Sequence, residues 1–152
     1  MHYHHKLYFM KQAFNFFLAG LLLVSISSCS KDDDNNGGAS GAVATSLKSG
    51  TWRISSFVDN GTDETGDFSS FTFTFNSSGT VTAINSILTA TGSWDTGLDD
   101  SQHKLFLDFN SGALFDEISE DWEIVAQSST QVSLRHVSGG SGETDLLVFQ
   151  KN

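Results

Sequence analysis

The sequence predicts an all-β domain over residues 47–152, built as an eight-stranded antiparallel up-and-down barrel. Three observations carry this. From Gly50 onward, large apolar residues alternate with Thr, Ser and charged residues at a period of two. The alternating runs are short and are punctuated by Gly, Asn, Asp and Ser, with no proline anywhere in the chain. One face of each run is aromatic or aliphatic and the other polar, so curling the sheet closed buries the first face and removes the exposed edges. A two-sheet sandwich satisfies the same alternation.

At 152 residues the chain is long enough for one domain with a core of ordinary size. Its formal charge is −10, and about −12 from Cys29 on once Lys6 and Lys11 are set aside. Such a surface disfavours nucleic acid and anionic lipid headgroups, which call for a basic footprint. Cys29 is the one cysteine, so the domain has no disulfide and must hold itself together by packing. The means are at hand: all of the 13 Phe except Phe9, Phe14, Phe16 and Phe17 follow Cys29, as do Trp52, Trp94 and Trp122. Full burial of one such ring contributes roughly 1.5 to 3 kcal/mol.

Taken in order, the chain opens with Lys6 and Lys11 ahead of an apolar run, Phe14 to Ile26, interrupted by Asn15, Gly20 and Ser25. This is the layout of a secretory signal peptide, and the run is short for a membrane span. Ile26-Ser27-Ser28-Cys29 resembles the bacterial lipobox, which implies that Cys29 is acylated and becomes the first residue of the mature protein. Lys31-Asp32-Asp33-Asp34 resembles the Bacteroidota-type lipoprotein export signal and implies display on the outer leaflet of the outer membrane. An acidic run also simply solvates a tether, which leaves the periplasmic face as the other destination. The expected organisation is a signal peptide at 1–28, an acidic and Gly-rich flexible tether at 29–46, and the barrel at 47–152. Val43 to Lys48 is short and apolar enough for a helical turn against the barrel.

The first strand is read over Thr51 to Asp59, with Trp52, Ile54, Ser56 and Val58 on one face. Ser70 to Asn76 follows, where Phe71, Phe73 and Phe75 alternate with Thr72 and Thr74. Asn76-Ser77-Ser78-Gly79 makes a hairpin turn into Thr80 to Ile87, in which Val81 and Ala83 share a face. Leu88 to Asp95 sets Ala90, Gly92 and Trp94 on one side, with Gly92 marking a bulge or a bend. Lys104 to Asn110 aligns Leu105, Leu107 and Phe109. Ala113 to Ile118 has helical spacing, and its Leu114, Phe115 and Ile118 suit a plug for one end of the barrel. The last three strands are Asp121 to Ser128, Gln131 to Ser138 and Thr144 to Lys151.

Gly50-Thr51-Trp52 at the start of such a meander resembles the opening of lipocalin and lipocalin-like (calycin) domains. Together with Gly92-Ser93-Trp94, Trp122-Glu123-Ile124 and the closing Leu147-Val148-Phe149-Gln150-Lys151, it is similar to lipocalin-like domains of Bacteroidota outer-membrane lipoproteins. The resemblance implies that Trp52 closes one end of the barrel beneath a cation, for which Arg135 is the candidate. The second lipocalin loop motif, Thr-Asp-Tyr, has no counterpart here.

Nothing in the sequence groups residues for catalysis, and the chain is expected not to be an enzyme. There is no Gly-x-Ser-x-Gly, no His-Glu-x-x-His, and no thiol left after acylation of Cys29. Two acidic stretches, Asp59, Asp63 and Glu64, and Asp95, Asp99 and Asp100, offer oxygen donors, but neither has the spacing of a calcium loop, and both read as hairpin tips. No metal or cofactor is expected. The candidate ligand cavity is the barrel interior: Ile54, Phe71, Phe73, Phe75, Trp94, Leu105, Leu107, Trp122, Ile124, Val132, Leu134 and, by alternation, His136. Two functions follow for a monomer anchored to the membrane through Cys29. One is a carrier of a small hydrophobic molecule; the other is a structural or interaction module whose barrel is filled by its own side chains.

Overall fold

The computed structural model describes residues 38–140 and 142–152. A helix, α1 (Ala39–Leu47), precedes β1 (Trp52–Asp59), the two-residue β2 (Thr62–Asp63) and a single helical turn, α2 (Thr65–Phe68). There follow β3 (Thr72–Phe75), β4 (Thr80–Ile84), β5 (Thr89–Asp99), β6 (Gln102–Phe109), α3 (Gly112–Asp116), β7 (Asp121–Gln127), β8 (Gln131–Val137) and β9 (Thr144–Lys151). The β3–β9 strands pair antiparallel in chain order, and β9 returns to β1 over Trp52↔Lys151 to Val58↔Leu146. The short β2 only extends β1 through a hairpin. Without it, eight strands form a closed antiparallel barrel, and the sandwich is excluded.

The alternation survives almost throughout, because each strand must give one face to a common interior. Where it fails, a bulge is responsible. Between Ile54 and Ser56 the β1/β9 register shifts, so the inward series runs Trp52, Ile54, Phe57 in place of the expected Ser56 and Val58. A second shift, between Ile124 and Ala126, leaves Val125 exposed. The β5–β6 hairpin is longer than expected, with pairing out to Asp99↔Gln102. Its tip, Asp100 and Ser101, takes positive φ of 48° and 66° without a glycine, so the turn carries no ordinary sequence mark.

At Gly92 the β4–β5 and β5–β6 registers run on without a bulge, and the glycine is required for a steric reason. A Cβ there would lie 2.3 Å from the Asp108 carbonyl oxygen and 2.8 Å from the Phe109 Cα, since β5 and β6 press together at that point. No side chain fits, which is how two strands approach closely enough to curl.

The two ends of the barrel are covered by helices. At the end where β1 starts, α1 buries Ser40, Val43 and Leu47 completely. It starts at Ala39, within the 29–46 stretch that composition reads as tether. Val43 and Leu47 lie one turn apart and give the helix an apolar ridge, while Gly38 and Ser40 are small enough to meet the His103 ring, with a 2.9 Å Ser40 Oγ to His103 Nδ1 hydrogen bond. At the other end, Phe68 of α2 stacks edge-on to Phe115 of α3 with centroids 5.9 Å apart, and Ile118 is fully buried beside them. That end is plugged as the spacing of Leu114, Phe115 and Ile118 predicts, with Phe68 as a further contributor.

Each indole N–H is satisfied by a backbone carbonyl. Trp52 Nε1 donates to Leu47 at 3.1 Å, Trp94 Nε1 to Asn76 at 3.0 Å and Trp122 Nε1 to Ile118 at 3.0 Å. Leu47 is the last residue of α1, Asn76 opens the β3–β4 turn and Ile118 follows α3. The three large rings therefore fasten the end segments to the wall at the same time as they fill the core.

Candidate functional site

The candidate ligand cavity is a set of inward positions, and the structure places nearly all of them in one core. Ile54, Phe71, Phe73, Phe75, Trp94, Leu105, Leu107, Trp122, Val132 and Leu134 are all buried, while Ile124 packs against the cluster half-buried beside the β7 bulge. The rings touch one another across the interior. Phe73 of β3 meets Phe149 of β9 at 5.4 Å and Phe109 of β6 at 6.3 Å. Phe75 meets Phe149 at 5.5 Å and Trp94 at 5.4 Å, and Phe57 reaches Trp122 at 6.4 Å. Nearly all are edge-to-face contacts, the arrangement that ring quadrupoles favour. Rings from β3, β5, β6 and β9 are thus in mutual contact inside the barrel.

Two crevices lined by described residues run along the wall. One, about 150 Å³, follows Ser93 to Asp95 and Phe106 to Asp108 along the β5–β6 pair. The other, about 130 Å³, lies among Gln102, Lys104, Asp121, Glu123, Arg135, His136 and Val137. Both are well below the roughly 300 Å³ at which pockets for small organic ligands begin.

Sequence reasoning missed several core residues. Phe57 was hidden by the β1 bulge, which no periodicity count detects. Phe68 sits in a turn without a pattern. Phe109, Leu147 and Phe149 were legible, since they continue the alternation of β6 and β9.

The cation at the closed end is corrected. Lys151 Nζ lies 5.8 Å from the Trp52 ring centroid, and its stem runs beside Gly50. Arg135 points outward from β8, because its neighbours Leu134 and Val132 take the interior, and its Nε bonds Glu123 Oε2 at 3.0 Å across the strand pair. Lys151 lies beside Trp52 because β9 pairs with β1, and Trp52↔Lys151 is the terminal register pair. Cys29 lies outside the described residues.

His136 stands at the edge of the interior, its ring 6.0 Å from that of Trp122. Glu120 and Asp121, at the start of β7, approach its Nδ1. Asp121 also takes a 2.6 Å bond from Lys104 Nζ, which in turn reaches Asp99 at 3.0 Å. The Lys104 bond holds the Asp121 carboxyl below the usual carboxylate range and pushes the Lys104 ammonium up. Among the described residues this is the one grouping of three side chains able to ligate a metal. The two acidic stretches singled out in the sequence do not form one: Asp95 and Asp99 belong to β5, with Asp100 at the hairpin tip.

Asp59 and Glu117 lie among like charges at the end that α2 and α3 cover. Burial, then Asp145, raises the Asp59 carboxyl above 3.8; burial, then Glu64, raises Glu117 above 4.5. A folded pKa above the unfolded one means that the native state binds more protons between the two values, so these groups weaken the fold at neutral pH and cease to do so as pH falls. The double variant Asp59→Asn/Glu117→Gln is expected to melt higher than wild type at neutral pH. Its advantage shrinks as pH falls towards the ordinary carboxylate values, as thermal unfolding across pH will register.

No protein-family model matches the sequence, and no curated protein matches it. Among solved structures, the fold is similar to that of a DUF4847 family protein from Bacteroides vulgatus, at 17% identity over 72% of this chain and 97% of that one, with a TM-score of 0.50. A protein from Burkholderia xenovorans determined by NMR aligns over 73% of this chain and 87% of its own, at 18% identity and a TM-score of 0.43. At such identities the first likeness speaks to the fold, a β-barrel.

Proposed function

We propose that this chain is a lipid-anchored envelope protein whose lipocalin-like barrel is a filled, non-catalytic module for structure or interaction, displayed on the cell surface. The observation that carries this reading is the train of ring contacts from Trp94 through Phe75, Phe149 and Phe73 to Phe109, which occupies the space a carried molecule would need. Helices over both ends support it, since a carrier requires an open mouth. The working surface is then the acidic exterior and its loops. Among the described residues no helix is long and apolar enough to cross a membrane. Attachment falls to Cys29, and the acidic run Lys31 to Asp34 supports export to the outer leaflet.

Thermal unfolding in the presence of fatty acids, sterols and haem tests the filled barrel. A carrier melts higher as ligand is added, in proportion to RT ln(1 + [L]/Kd), whereas a filled barrel does not respond. An upward shift that grows with the concentration of any of these would overturn the proposal in favour of ligand binding. The anchor has its own test: Cys29→Ala abolishes labelling of the protein by a clickable palmitate analogue in cells, and labelling that persists refutes the lipobox.

A further inference from the structure

The geometry points to a mononuclear site for a divalent transition ion of the zinc class, held by Glu120 Oε2, Asp121 Oδ1 and His136 Nδ1. His136 Nδ1 is out of contact with solvent and makes no hydrogen bond, although its side chain as a whole is 15% exposed. Such an atom is costly to bury without a partner. A simple imidazolium–carboxylate pair would remove that cost by closing on one oxygen at about 2.7 to 2.9 Å. Instead Nδ1 stands 3.5 Å from Glu120 Oε2 and 3.4 Å from Asp121 Oδ1, close to two carboxylates at once.

The two imidazole–carboxylate separations are ones that coordination produces, and all three donor atoms lie within 4.8 Å of one another. Donors about 2.0 to 2.1 Å from a tetrahedral zinc lie about 3.3 to 3.4 Å from one another. Octahedral magnesium at about 2.0 to 2.1 Å would bring adjacent donors to about 2.9 Å, and calcium asks for six to eight oxygens in place of a nitrogen. One imidazole and two carboxylates suit zinc and its neighbours in the first transition row.

The surroundings fit the same ion. Lys104 takes Asp121 Oδ2, which fixes the carboxylate and leaves Oδ1 turned to His136, as outer partners of metal ligands commonly do. Counting Asp99, Glu120 and Asp121 against Lys104, the local charge is negative, and a dication neutralises it. Glu120 and Asp121 are 45% and 42% exposed, so an ion can enter from solvent. Three protein donors leave a fourth position for water or for a donor from another molecule.

The test is thermal unfolding of the full-length protein in detergent with zinc chloride, and separately with magnesium chloride, for wild type, His136→Gln and Glu120→Gln. His2, His4 and His5 are common to all three proteins, so only the difference between them counts. Zinc at about ten times its Kd is expected to raise the wild-type Tm by about 4 to 8 °C. Magnesium gives no rise, and both variants lose the zinc response. Glu120 is exposed, so Glu120→Gln keeps the fold even where His136→Gln unsettles it. As a second readout, cobalt(II) quenches Trp122, whose ring is 6.0 Å from that of His136, in wild type and not in Glu120→Gln. A wild-type Tm that zinc leaves unchanged, or a rise that persists in both variants, overturns the site.

Discussion

Trp52→Ala is expected to destabilise the domain by about 3 to 5 kcal/mol, read by urea unfolding. The indole is fully buried and its N–H has a partner, Leu47 O, that alanine cannot serve. Three effects coincide at this residue. Its removal leaves a cavity, orphans the carbonyl that ends α1, and takes away the ring over which Lys151 lies. The position is also structurally exposed to loss: Trp52↔Phe73 is the one register pair between β1 and β3, so packing rather than a ladder of hydrogen bonds holds that seam. Trp52→Phe separates the contributions. It keeps a ring and loses the N–H, and should cost about 1 to 3 kcal/mol. A loss under about 1 kcal/mol for the alanine variant would mean that α1 and the seam do not depend on the indole, contrary to the packing described.

How much of this was legible follows from what kind of information each element carries. The period of two in β3, with Phe71, Phe73 and Phe75 set against Thr72 and Thr74, is imposed by one-sided burial and can be read without coordinates. The same holds for Leu105 and Leu107 in β6 and for Val132 and Leu134 in β8. A bulge is different, because it costs one residue and leaves no compositional trace; β1 therefore switches from Ile54 to Phe57 in silence. The helix α1 was half visible through Val43 and Leu47, but its first turn, Ala39 to Gly41, is made of small residues that read as linker until a neighbour such as His103 explains them.

Positions that depend on two strands at once were the least legible. Arg135 was named for Trp52 because a cation near the end of the chain was wanted there. Which cation serves is decided by the β1–β9 register, and that register delivers Lys151. His136, Glu120 and Asp121 are a further case. His136 lies about fifteen residues after the adjacent Glu120 and Asp121, and they meet only because β7 and β8 form a hairpin whose open end brings the start of one beside the finish of the other.

Phe73→Ala should cost about 3 to 5 kcal/mol and, unlike the wild type, should bind benzene-sized apolar molecules. Phe73 was read from the sequence as part of a ligand cavity, and its surroundings decide between that role and a packed core. Its ring is fully buried and makes edge contacts with Phe109 of β6 and Phe149 of β9, on either side of it round the barrel. Trimming a ring that already has neighbours on both sides creates an empty, apolar void, and both the lost contacts and the void count against the variant. Trimming a ring that merely lines an existing cavity forfeits contacts on one side only and enlarges a space already open, so the cost should lie at the low end, about 1 to 2 kcal/mol, with ligand response already present in the wild type. The two measurements together, unfolding free energy and the Tm response to small aromatics, therefore separate a barrel that holds its own side chains from one that holds a guest.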